Sequence, residues 1–205
     1  MISSAPGNAD RHRLAARFVG GPHVAASSNA EQRLTGWLAE LEPARSAAID
    51  ELLVHPFAKA ILLGIAEFSP YLFDLIRADA ARLIRLLDCD PEQHLAALIE
   101  KTSHDVLSAA DETDAMHLLR RMKAEAALLI ALCDIGGVWP VMRVTAALTD
   151  LAVASVQAAL RFLLRQEAAR GRLSPPSLDT PEDNSGLIVL AMGKMGAGEL
   201  NYSSD

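Results

Sequence analysis

Leu118-Leu-Arg-Arg-Met-Lys-Ala-Glu-Ala-Ala-Leu-Leu-Ile-Ala-Leu-Cys133 decides the fold class of this chain. Leu119, Met122, Ala126, Leu129 and Cys133 recur at alternating steps of three and four, which places them on one side of a helix, while Arg120, Arg121 and Lys123 fall off that stripe. The same texture, rich in Ala, Leu, Arg and Glu and poor in glycine, extends from Glu31 to about Arg170. The spacing predicts a mostly α protein over 31–170.

The start signals subdivide this region. Helices are predicted over Glu31–Leu41 and about Pro43–Glu67, and a third from Ser69-Pro70 to about Leu87, with Ser69 as cap and Pro70 in the first turn, where a missing N–H costs nothing. Asp90-Pro91 repeats the signal, and Gln93 stands where a side chain can reach back to the cap. Gly136-Gly137 closes the helix over Glu112–Asp134, and Pro140 opens another whose buried face is predicted as Val144, Leu148, Ala152, Val156, Ala159 and Leu163. Two long helices joined by so short a turn should pack as an antiparallel pair.

On either side the texture differs. Residues 1–30 mix Ser, Gly, Pro and isolated charges without a run of signal-peptide length and are predicted to be a flexible tail. Residues 171–186, with Pro175, Pro176 and Pro181, are predicted to be a linker. At Leu187 a continuous Leu-Ile-Val-Leu run suggests a buried strand, the first of a truncated α/β domain over 187–205.

A formal net charge of -7 disfavours nonspecific contact with nucleic acid or an acidic membrane, because neither polyanion gains from an acidic surface. Apolar runs such as Ala126–Cys133 are shorter than the roughly 20 residues of a membrane span, so no membrane role is expected. Cys89 and Cys133 sit in apolar helical contexts without ligand spacing and are predicted to be reduced core thiols of a cytoplasmic protein. His55, His94, His104 and His117 share no spacing that gathers a zinc ion.

The run Leu187-Ile-Val-Leu-Ala-Met-Gly-Lys-Met-Gly-Ala-Gly-Glu-Leu-Asn-Tyr-Ser-Ser-Asp205 points to phosphate chemistry, since glycines after a strand expose backbone N–H groups to an anion. A P-loop fails, because Lys194 follows the first glycine and is followed by Met195. A dinucleotide turn fails too, with glycines at 193, 196 and 198 and a polar stretch close behind. The nucleotidyltransferase pattern fits better: a strand ends at a glycine turn, and an aspartate pair begins the next strand about ten residues later. Gly193 and Asp205 have that relation, although Lys194 replaces the usual small residue and only the first aspartate is present.

In wording, Gly193-Lys-Met-Gly-Ala-Gly-Glu-Leu200 and Asn201-Tyr-Ser-Ser-Asp205 resemble the signature of the glutamine synthetase adenylyltransferase/adenylyl-removing enzyme family, with Met195 and Ala197 as mild departures. Phe68-Ser-Pro-Tyr-Leu-Phe-Asp-Leu-Ile-Arg77 and the Leu118–Gly137 helix are similar to earlier family segments. The Asn-Tyr-Ser-Ser wording resembles the N-terminal, adenylyl-removing copy of the catalytic domain.

The resemblance implies a bifunctional nucleotidyltransferase that uses ATP to add AMP to a tyrosine of glutamine synthetase and inorganic phosphate to remove it as ADP. It implies Mg²⁺ bound by Asp205 and a second aspartate two residues on, response to glutamine and the PII signalling protein, and an N-terminal fragment expected to be inactive alone. Asp205 is then the catalytic and metal-binding residue. Gly193 and Gly196 serve the turn, Lys194 either neutralises phosphate or is a solvated lysine, and Ser203 and Ser204 bond either phosphate oxygens or local backbone. Glu199 is expected at the surface, and Arg120, Arg121 and Lys123 either face an acidic partner or only solvent. A noncatalytic helical docking module is the competing reading, and a dinucleotide-binding oxidoreductase a weaker one.

Overall fold

A computed structural model of the protein describes residues 12–203. Among them the secondary structure is helical throughout: α1 (Leu14–Arg17), α2 (Ala30–Glu40), α3 (Pro43–Leu52), α4 (Pro56–Phe68), α5 (Pro70–Ala78), α6 (Ala80–Asp88), α7 (Pro91–Leu107), α8 (Glu112–Ile135), α9 (Val141–Ala169) and α10 (Gly193–Ala197).

Two of the predicted helices are in fact pairs. The break after α3 falls at Leu53–His55, where His55 takes an extended conformation (φ −66°, ψ 119°), as the residue before a proline must. The break after α5 falls at Asp79 (φ −153°, ψ 89°), whose carboxylate accepts the Arg82 N–H at 3.0 Å and so caps α6. Ser69 caps α5 through Leu72 N–H as expected. At Asp90 the side chain accepts the Gln93 backbone N–H at 3.0 Å, so the aspartate caps α7 as expected.

The chain divides into two compact units: Met1–His94 with Leu128–Val141, and Leu95–Ala127 with Met142–Asp205. In the first, α2 packs on α4, α4 on α5, α3 and α1 on α6, and α5 on α6. Leu128–Cys133 of α8 is buried at six consecutive positions, so that turn belongs to a core on every side rather than on one stripe. Gly137 (φ 66°) ends the helix, with Val138 N–H reaching Cys133 O at 2.8 Å and Gly137 N–H reaching Asp134 O at 3.0 Å.

Part of the segment expected to be a tail is packed. Leu14, Ala15 and Phe18 are buried, Leu14 N–H donates to Cys89 O at 2.8 Å, and Val19 N–H donates to Gly136 O at 2.9 Å. Arg17 grips Glu92 with two guanidinium nitrogens, and Trp139 Nε1 donates to the same carboxylate at 2.7 Å. Together these bonds hold Glu92 well below the usual carboxylate range, at about 2, with the Arg17 contact the largest cause. Cys133 is fully buried and Cys89 partly so, and both are thiols.

In the second unit Val106, Ala115, Ala158 and Phe162 form one cluster, joined by Ala109, Leu118 and Leu119. Ala115 lies near the start of α8 and Phe162 far along α9, as antiparallel packing requires. The buried face of α9 is Val144, Ala147, Leu151, Ala158 and Phe162, whereas Val156 and Leu163 are exposed at 43% and 47%. Val144 is buried as expected, but from Ala147 onward the stripe falls one residue before the predicted positions. Leu148 and Ala152 are only partly buried, so apolar residues flank the true stripe and periodicity alone does not centre it.

By length and composition α9 is also apolar enough to cross a bilayer, which counting uninterrupted apolar runs overlooked. That test alone assigns no membrane to it, because the core helix of a water-soluble protein passes it equally. The 171–186 segment is tied to α9 by Arg161 Nε donating to Glu182.

Candidate functional site

No strand forms at Leu187. Residues 187–190 and Met192 are exposed, from 52% at Leu187 to 81% at Met192, so the buried strand expected there is absent from the described residues. A strand needs a neighbouring backbone to take up its N–H and C=O groups, and none of the described residues pairs with this run.

Beyond it the glycines make a compact turn. Gly193 (φ 57°) opens α10 and Gly198 (φ 74°, ψ 22°) closes it in the left-handed region. The closing turn carries two bonds, Gly198 N–H to Met195 O at 3.2 Å and Glu199 N–H to Lys194 O at 2.8 Å. At Gly196 a Cβ would stand 2.5 Å from the Ala191 carbonyl oxygen, so close backbone approach excludes any side chain there. The glycines at 193 and 198 are thus required by a positive φ and that at 196 by close backbone approach.

Of the predicted site residues, the structure brings Gly193, Lys194 and Gly196 together in α10. The Lys194 side chain is exposed and meets no acidic group among the described residues. Ser203 Oγ donates to Asn201 Oδ1 at 3.2 Å, a local bond within the polar stretch. Ser204 and Asp205 lie outside the described residues. No group of three His, Cys, Asp or Glu side chains among the described residues could hold a metal ion. The residues present therefore do not by themselves form a Mg²⁺ site, and a metal there would depend on Asp205.

One contact of this segment had no sequence signal. Leu200 N–H donates to Thr149 Oγ1 of α9 at 3.2 Å, across 51 residues, and Thr149 is buried. A threonine inside an apolar helix ordinarily reads as a core position, and no spacing connects it to a glycine turn.

The turn thus sets the start of a five-residue helix beside the exposed Lys194 side chain. Residues 60–205 match the family model described as glutamate-ammonia ligase adenylyltransferase. This chain belongs to that family. A bifunctional glutamine synthetase adenylyltransferase/adenylyl-removing enzyme of Bradyrhizobium diazoefficiens is 71% identical over 100% of the chain. Proteins of the same description from Rhodopseudomonas palustris and Xanthobacter autotrophicus are 59% and 48% identical over 100% and 98% of the chain. The chain spans 21%, 21% and 20% of the length of these three adenylyltransferase relatives. No solved structure matches the chain.

Proposed function

We propose that this chain is the opening part of a bifunctional glutamine synthetase adenylyltransferase/adenylyl-removing enzyme, and that Gly193–Asp205 begins its adenylyl-removing catalytic domain. The observation that carries this reading is the 71% identity to a protein of that description along the whole chain, glycine turn included. In the reaction a phosphate oxygen attacks the phosphorus of AMP-tyrosine on glutamine synthetase. The bond to the tyrosine oxygen breaks, the phenol regains its proton, and ADP leaves.

Within this scheme the Gly193 turn offers backbone N–H groups to phosphate oxygens, Lys194 offsets their charge, and Ser203 and Ser204 donate further bonds. Asp205 is the metal ligand in this reading, and the described residues do not complete a Mg²⁺ site. Residues 187–190 become a strand once later sequence supplies a neighbour. ATP serves the adenylylating half of the same enzyme, with PII as its signalling partner and the cytoplasm as its compartment.

The test is Asp205→Asn in the full-length enzyme, with ADP release measured from adenylylated glutamine synthetase plus phosphate. The variant should lose this reaction and keep ATP-dependent adenylylation; retained phosphorolysis refutes the assignment. The 205-residue chain alone should release no ADP in the same assay.

A further inference from the structure

We propose that Thr149 is a positioning residue that fixes the Leu200–Ser203 approach to the site onto α9. Its hydroxyl proton is committed to Thr145 O at 2.9 Å, the i−4 carbonyl of the same helix. That bond sets the orientation of the Oγ1 lone pairs, one of which receives Leu200 N–H at 3.2 Å. The hydroxyl is thus donor to the helix and acceptor from the turn at once.

The placement matters because Leu200 is the junction between two differently constrained pieces. Before it, α10 is closed by its own bonds at Gly198 and Glu199. After it comes Asn201-Tyr-Ser-Ser-Asp205, the stretch to which the proposed function assigns the chemistry. Upstream, Leu187–Leu190 is exposed, and Met192 O meets the turn only locally, by accepting Gly196 N–H at 3.3 Å. Thr149 lies inside a helix of 29 residues and is itself buried, which makes it a stiff anchor for the turn. Valine matches threonine in shape but lacks the hydroxyl, so Thr149→Val removes the bond and leaves the Leu200 N–H without its partner.

The experiment has two arms, the second of which rests on the proposed function. In the 205-residue chain, amide hydrogen exchange is followed at Leu200 in wild type, Thr149→Val and Thr149→Ser. Exchange at Leu200 should quicken roughly tenfold in the valine variant and not in the serine variant, with Glu199 unchanged. Equal Leu200 exchange in wild type and the valine variant overturns the anchor.

In the full-length enzyme, phosphorolysis by Thr149→Val should fall in kcat by about tenfold at unchanged KM for adenylylated glutamine synthetase, and serine should restore it. Unchanged kcat, or loss that serine does not rescue, overturns the positioning role. A wild-type enzyme that shows no phosphorolysis refutes the function instead, and the exchange arm then decides the anchor alone.

Discussion

Arg17 donates two hydrogen bonds to the carboxylate of Glu92, 75 residues further along the chain. The pair joins α1 to the first turn of α7, and Trp139 closes it from the turn after α8. Three segments that the sequence separates therefore meet on one carboxylate. The grip fastens α1 to the start of α7, so Leu14–Arg17 is held against the first unit.

Glu92 makes the stability of this clasp depend on pH in a definite direction. Its folded value of about 2 lies below the ordinary carboxyl value of about 4.5, so its contribution is complete above about 4.5 and is lost as pH falls toward 2. Because the Glu92 side chain is 43% exposed, solvent screening holds that contribution to about 1 kcal/mol. Glu92→Gln keeps an acceptor for Trp139 while removing the charge. The wild type should exceed the variant in urea midpoint at pH 6, and the gap should narrow between pH 4.5 and pH 2. A gap that widens on acidification contradicts this sign.

Gly136 tests the packing of the same N-terminal segment. A Cβ there would meet Phe18 Cδ1 at 2.2 Å and the Leu132 carbonyl oxygen at 2.8 Å. Gly136→Ala should cost about 1–3 kcal/mol by overpacking. Phe18→Ala removes the ring that stands in the way, so the double variant should lose less than the two single losses added together. Additive losses, measured by chemical denaturation, indicate that the ring and Gly136 are not in contact.

The corrected face of α9 gives a sharper contrast, because neighbouring residues should behave oppositely. Phe162 is buried against Val106, Ala115 and Ala158, and Phe162→Ala should cost about 3–5 kcal/mol. Leu163 is about half exposed, and Leu163→Ala should cost less than about 1 kcal/mol. Equal losses in thermal or urea unfolding would restore the face expected from spacing.

These cases show what the sequence carried and where it stopped. Ser69-Pro70 and Asp90-Pro91 mark helix starts correctly because a cap and a proline act within one turn. Asp79 escapes notice because the apolar pattern continues across it, although its side chain caps a new helix. The phase of α9 is lost because Leu148 and Ala152 are apolar beside the true stripe. At the site, residue wording led to the family and to the glycines, each of which has a local conformational cause. The Leu200–Thr149 bond was illegible, since a contact across 51 residues is fixed by how α9 and the turn pack and leaves no trace in local spacing.

The exposed run before the turn supports a last prediction. Leu187 N–H donates to Ser185 Oγ at 3.2 Å, and no hydrogen bond from the amides of 188–192 is found among the described residues. Amides without partners exchange at nearly the rate of a free peptide, whereas those inside a buried helix exchange only on larger opening. In this chain, residues 188–192 should therefore exchange within the first time points, while Leu128–Cys133 of α8 stays protected longest. In the full-length enzyme the strand proposed over 187–190 predicts that the amides of 188–190 that face a neighbouring strand become slow. Slow exchange of 188–192 in the 205-residue chain itself would mean that the run already has a partner.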